Sequence, residues 1–329
     1  MPAVSRPRDI REAVSAGPIV LDGGFATRLE ARGHDLSSAL WSARLLLDDP
    51  AEIVAAHRDF AAAGAQVAIT ASYQVSAEGL AAAGLDPAST DDVLALSVAC
   101  AREAMEPVDG WVAASIGPYG ATLADGSEYT GAYAVPAGAA GAGATAGSNL
   151  AALQRFLRDW HARRLEALVA AGPDLLAVET IPCLAEVEVL LEMVAASGIP
   201  AWLSVTCAGD RLRSGEPAAE AFSMSRGVPG LVGVGVNCTS PADAGVLVPL
   251  AYAASGRPVV VYPNSGETWD AQARSWRGAG GFRPAQVRGW LAGGAGLVGG
   301  CCRVTPQDIA EIAEIAEVVE VVRDAGAVP

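Results

Sequence analysis

Short, almost wholly apolar runs alternate along the chain with longer segments whose apolar positions recur at helical spacing. The apolar runs read as strands over residues 18–25 (PIVLDGGF), 66–73 (QVAITASY), 111–116, 174–181 (DLLAVETI), 200–207, 231–238, 258–263 and 297–300. Helices are predicted between and after them, over 50–63, 90–105, 149–170, 185–196, 218–225, 241–254, 284–292 and 305–322. In the first, Ile53, Val54 and Phe60 share a face; the second opens on Asp91 and Asp92, which suit the positive start of a helix. The strands do not alternate apolar with polar. Continuous apolar runs are what a parallel sheet buried on both faces requires.

Eight strand–helix units in about 300 residues predict an α/β fold, a (β/α)8 barrel of the TIM type. A doubly wound open sheet is the alternative, but no GxGxxG follows the first strand to mark a dinucleotide site. No linker composition divides the chain, so residues 1–329 read as one domain. The stretch 117–148 exceeds the usual length of a connection and turns Gly/Ala-rich over 137–147; it is read as functional or mobile, with a lid as one expectation.

Barrel active sites gather at the C-terminal ends of the strands. The polar residues there are Asp22 beside Gly23 and Gly24, then Thr70, Ser72, Tyr73 and Gln74, Glu179 and Thr180, Asn237 and Cys238, Tyr262 and Asn264, and Cys301 with Cys302.

Composition narrows the chemistry. A formal net charge of −15 and a pI near 4.6 argue against a nucleic-acid face or anionic lipid. Every one of the 22 basic residues is arginine, which removes Schiff-base and pyridoxal chemistry, since both need a lysine amine. No secretory h-region opens the chain, and no apolar run is long enough for a membrane span, so the cytoplasm is the expected setting. Six cysteines in that setting point to ligand or structural roles rather than disulfides.

Adjacent thiols at Cys301 and Cys302 close strand eight, and Cys238 closes strand six. A closed barrel sets those strands one apart, on one rim. Three thiols without a nearby histidine suit zinc; His34, His57 and His161 lie away from strand ends, and His57, mid-helix, reads as structural. Cys100 and Cys183 are poor fourth ligands, and Cys207 is the one serious contender. Without it, the site keeps a position open, as catalytic zinc does. Thiolate-rich zinc favours a sulfur substrate and lowers a bound thiol's pKa. The residues therefore point to zinc-activated alkylation of a thiol.

The segments LDGGFATRLEARG (21–33), ITASYQ (69–74), IGPYGA (116–121), ETIP (179–182), GVNC (235–238), YPNSGETWD (262–270) and GGCC (299–302) resemble the homocysteine S-methyltransferases, in order along nearly the whole chain. The resemblance implies zinc held by Cys238, Cys301 and Cys302, with homocysteine's thiolate taking a methyl group from a sulfonium or quaternary ammonium donor. It implies Asp22 and Glu179 at the homocysteine amino group, backbone amides near Gly23, Gly24 and Phe25 at its carboxylate, and Asn237 ordering the site. Tyr73, Gln74, Thr180 and Tyr262 would face the donor. Asn264, Trp269 and Asp270 lie in a polar loop that shapes the pocket.

GPYGA followed by LADGSEYTGAY looks like the short bacterial and plant members, which use S-methylmethionine and, less readily, S-adenosylmethionine. Betaine-using relatives carry an aromatic residue where this chain has Thr180, and a longer C-terminal segment; they are the alternative, and the short C-terminus suggests a monomer. A glycoside hydrolase using Asp22 and Glu179 would leave the cysteines unexplained. A non-catalytic zinc-stabilised protein would leave the polar rim unexplained.

Overall fold

All eight apolar runs form strands, and together they make one parallel sheet wrapped into a barrel. The computed structural model describes residues 9–34, 42–134, 146–270 and 275–324. The strands are β1 (Ile19–Val20), β2 (Val67–Ile69), β3 (Trp111–Ile116), β4 (Leu175–Ile181), β5 (Ala201–Val205), β6 (Leu231–Asn237), β7 (Val259–Tyr262) and β8 (Ala295–Val298). They lie in the order β1-β8-β7-β6-β5-β4-β3-β2. The last seam, β1 against β2, is thin. Leu21 bridges Val67 in parallel, and the Gln66 N–H donates to the Val20 carbonyl at 2.7 Å. Gln66 Oε1 returns the bond to the Val20 N–H, and Asp22 Oδ2 accepts from the Ile69 N–H, each at 2.8 Å.

A helix follows each strand: α1 (Pro50–Ala62), α2 (Thr90–Met105), α3 (Ala146–Ala170), α4 (Leu184–Ser197), α5 (Ala218–Met224), α6 (Pro241–Ser255), α7 (Val287–Ala292) and α8 (Pro306–Asp324). Among the described residues no helix is long and apolar enough to cross a membrane.

Two apolar layers result. Between sheet and helices lie the outward strand residues, such as Val112, Val178 and Leu203, packed with Phe60, Leu94 and Leu190. Inside the barrel lie Leu21, Trp111, Ala113, Leu175, Ala177, Trp202 and Val260. A helix that the sequence pattern did not reveal, Ile10–Ala16, adds Ile10, Ala13 and Val14 to that inner layer. At 7 residues it is too short to display a period.

Several predicted elements differ in extent: strand eight is Ala295–Val298, and the helix predicted over 284–292 is a 3-10 turn followed by Val287–Ala292. The first strand stops early, because Phe25 opens a helix, Phe25–Ala31, rather than ending the strand. The second stops at Ile69, where the Asp22 side chain takes the N–H that a ladder would have used. Cys207 leaves β5 and pairs with Leu212 in a small antiparallel hairpin. The stretch predicted as irregular contains a helix, Tyr119–Leu123, and 3-10 turns at Ser127–Tyr129 and Ala132–Ala134. Residues 135–145, most of the Gly/Ala-rich candidate lid, lie outside the described residues. The polar loop after β7 forms a hairpin, Thr268–Asp270 with Ser275–Arg277; the Trp269 and Asp270 side chains are not described.

Candidate active site

Strand parity decides which side chains reach the barrel mouth. On β4, Leu175 and Ala177 face inward, so Glu179 does too. On β3 the same parity carries Trp111 and Ala113 to Ser115. The two meet: the Ser115 hydroxyl donates to Glu179 Oε1. Inward-facing Tyr262 donates to Glu179 Oε2 at 3.1 Å and accepts from Trp202 Nε1 at 3.0 Å. Tyr262 therefore braces Glu179.

The ends of β1 and β8 approach because both are glycine pairs. A Cβ on Gly24 would stand 2.8 Å from the Cys301 carbonyl, and one on Gly299 would stand 2.8 Å from the Asp22 carbonyl. Backbone hydrogen bonds lock the approach, Gly24 N–H to Val304 O at 2.8 Å and Gly300 N–H to Asp22 O at 3.1 Å. The Gly24 amide is thus already occupied. The first turn of the helix it precedes has no side-chain cap, and its residues Phe25, Ala26 and Thr27 line the mouth cavity. Helix-start amides lack intrahelical partners, so that turn is suited to a carboxylate.

Two strand ends carry left-handed backbone on residues with a Cβ: Thr180 at φ 61° and Cys238 at φ 47°. That conformation is costly, most of all for β-branched threonine. Asn237 holds Thr180 in it from both sides. Its Oδ1 accepts from the Thr180 N–H and its Nδ2 donates to the Thr180 hydroxyl, each at 2.7 Å.

The three predicted thiols converge. Cys238 and Cys301 sulfurs are 2.7 Å apart, Cys301 and Cys302 are 4.0 Å apart, and all three lie within 4.8 Å of one another. Three sulfurs on one tetrahedral zinc would be roughly 3.8 Å apart, given Zn–S of about 2.3 Å. The observed separations bracket that value, so the donor set fits one soft ion. Hydrogen bonds from Cys238 and Cys301 push the Cys302 thiol well below its ordinary range, while the same contacts push Cys301 up. Cys207 is outside the cluster, and burial pushes its thiol up to about 12. Among the described residues, three thiols and no fourth His, Cys, Asp or Glu come together here.

One cavity of about 150 Å³ joins these groups. Its lining includes the predicted metal, homocysteine and donor residues: Asp22, Gly23, Gly24 and Phe25, then Tyr73, Gln74, Glu179 and Thr180, then Asn237, Cys238, Tyr262, Cys301 and Cys302. Asn264 is not among them; it is buried beside the mouth, its N–H on the Thr239 carbonyl. Among the described residues no arginine or histidine lines the cavity, yet three carboxyls do. Burial pushes Glu179 up to about 7, against the opposing hydrogen bond from Ser115. Burial also raises Asp22, with the nearby Glu179 charge adding to it and the Ile69 amide opposing it. Acids that are buried without a basic partner call for a cationic ligand.

The family model for homocysteine S-methyltransferase matches residues 19–316. The chain belongs to the homocysteine S-methyltransferase family. It is 42% identical to the homocysteine S-methyltransferase of Escherichia coli K12 over 306 residues, spanning 89% of this chain and 93% of that one. It is 39% identical to homocysteine S-methyltransferase 2 of Zea mays, spanning 93% of each. The crystal structure of the E. coli homocysteine methyltransferase MmuM in its metallated form superposes with a TM-score of 0.76 at 38% identity, covering 91% of this chain and 96% of that one. This member of the family is therefore a methyltransferase on a (β/α)8 barrel, and the glycoside hydrolase reading of its two carboxyls falls away.

Three cavity-side groups of this methyltransferase escaped the residue-by-residue reading. Ser115 was legible in principle, as the one polar residue in an otherwise apolar strand. Glu128 and Tyr129 sit on the 3-10 turn in the long connection, where no period gives a side chain's direction; they appeared only inside a family-like segment.

Proposed function

We propose that the protein transfers a methyl group from S-methylmethionine, or less readily S-adenosylmethionine, to the sulfur of L-homocysteine, with zinc at Cys238, Cys301 and Cys302. The observation that carries this reading is the three-thiol cluster opening into a cavity whose walls hold buried acids and, among the described residues, no base. Zinc bound there would supply a Lewis-acid position at which a thiol is a thiolate at neutral pH.

The chain's own groups do the positioning. Asp22 and Glu179 receive the homocysteine ammonium, which replaces the missing cation between them. The uncapped turn at Phe25–Thr27 receives its carboxylate, and Asn237 keeps Thr180 and Glu179 in place. Methyl transfer forms a carbon–sulfur bond on homocysteine. It breaks one on the donor, whose bonding pair returns to the sulfonium sulfur to leave a neutral thioether. Homocysteine's thiol proton goes to solvent. With S-methylmethionine both products are methionine. We read the protein as a cytoplasmic monomer.

A methyl-donor panel with homocysteine tests the reading: S-methylmethionine, S-adenosylmethionine and betaine, with methionine as the readout. S-methylmethionine is expected to lead; a preference for betaine would overturn the donor. Metal analysis should find about one zinc per chain. Cys238→Ser should lose zinc and methyl transfer together, and full activity without metal would sink the mechanism.

A further inference from the structure

The cavity's third carboxyl, Glu128, has no role so far. It is 8% exposed, lines the cavity, and its Oε2 has no hydrogen-bond partner among the described residues. A buried carboxyl oxygen left unpaired costs free energy that a ligand can recover. The turn that carries it is held in place. Gly120 lets the backbone pass close, since a Cβ there would meet the Glu128 N at 2.8 Å. The Ser127 N–H donates to Asp125 Oδ1 at 2.9 Å, and the Gly131 N–H donates to the Ser127 carbonyl at 2.8 Å. Glu128 therefore has a fixed station on the wall made by the β3–α3 connection.

We infer that Glu128 receives the α-ammonium of the methyl donor, so that the pocket selects donors that are amino acids. This rests on the methyl-transfer reading above. An unpaired acceptor oxygen calls for an N–H donor. A sulfonium centre or a trimethylammonium group has none; an amino-acid ammonium has three. Homocysteine's ammonium is already assigned to Asp22 and Glu179, and a second amino acid brings one more ammonium for the remaining acid, Glu128. Burial also pushes Glu128 up to about 7, its ionised form lacking a counter-charge until a ligand provides one. The donor's ammonium is unchanged by the reaction, so Glu128 contributes equally to ground and transition states. Its loss then appears in KM and not in kcat.

The experiment compares S-methylmethionine with its desamino analogue, 4-(dimethylsulfonio)butanoate, on wild type and Glu128→Gln. Expected for Glu128→Gln is a fall of roughly 10- to 100-fold in kcat/KM for S-methylmethionine, all in KM. The desamino donor should change by less than about threefold, and homocysteine KM by less than about twofold, because Asp22 and Glu179 are untouched. Glu128→Asp, which keeps the charge on a shorter arm, should retain part of the discrimination and stands in if the glutamine variant does not fold. An equal loss for both donors, or none for either, in an active wild-type background overturns the assignment alone. A wild type that transfers no methyl from S-methylmethionine or from S-adenosylmethionine overturns the functional reading and this assignment with it.

Discussion

Thr180 and Asn237 show how one residue's strain is held by another's amide. Removing the clamp in Asn237→Ala should free Thr180 to leave the left-handed region, at a cost of about 1–3 kcal/mol. Homocysteine KM should rise while zinc content holds. Urea unfolding and metal analysis check both, and the stability cost should shrink in a Thr180→Gly background, where the backbone no longer needs restraint. Glu179 gives a second check. Its folded-state pKa of about 7 means that below neutrality the carboxyl is protonated before homocysteine arrives. Binding an ammonium then requires losing that proton, so homocysteine KM should rise as pH falls from 8 to 6, by up to about tenfold per unit below 7. A flat KM profile over that range would remove Glu179 from the ammonium site. Residues of this kind were legible in the sequence because they end apolar runs, and barrel geometry converts such a position into a place on the rim. The Asn237–Thr180 clamp was not, because it depends on two backbone dihedrals that no pattern of side chains records.

At the scale of elements, one carboxylate ties the connection between β3 and α3 to both α3 and α4. Glu186, fully buried in the first turn of α4, accepts from the Tyr119 N–H at 2.8 Å and from the Tyr133 hydroxyl. His161 of α3 is 2.8 Å from it through Nε2. Arg164, one turn further along α3, donates to the carbonyls of Val75 at 2.8 Å, Tyr73 at 3.1 Å and Gly117 at 3.3 Å. Two buried side chains thus hold the loops that carry Tyr73 and Glu128. Glu186→Leu would leave a histidine, a tyrosine hydroxyl and an amide unpaired, and should cost about 3 kcal/mol or more. Limited proteolysis should then cut first within 117–134, with donor KM rising more than homocysteine KM. The long helices were legible to within a few residues because several turns display a period. Helices of 6 or 7 residues, such as Ala77–Ala82 and Phe25–Ala31, were not; one or two turns show no period, and Phe25 continued an apolar run that looked like strand.

For the molecule as a whole, acid stability should depend on His57. It is fully buried, stacked on Phe25 at 4.2 Å, and neither ring nitrogen has a hydrogen-bond partner among the described residues. Burial lowers its pKa from 6.5 to about 3. The neutral ring is the folded form, so its contribution is complete above pH 6.5 and is lost as pH falls toward 3. The loss reaches about 2 kcal/mol at pH 5. His57→Phe should therefore gain more stability over wild type at pH 5 than at pH 7.5, read from urea midpoints; equal differences at both would show that the ring is not held neutral. The barrel itself was legible from eight units in order, but the way its last seam is made was not. The β1–β2 seam is so short that a side chain completes it: the Asp22 carboxylate accepts the Ile69 amide at 2.8 Å. The group proposed to greet homocysteine is thus also a stitch in the wall of the barrel. Ile69 carries a built-in reporter hydrogen as a result. When an ammonium draws on the Asp22 carboxylate, the exchange rate and amide chemical shift of Ile69 should respond first, signalling occupancy of the pocket from a residue in the barrel's own fabric.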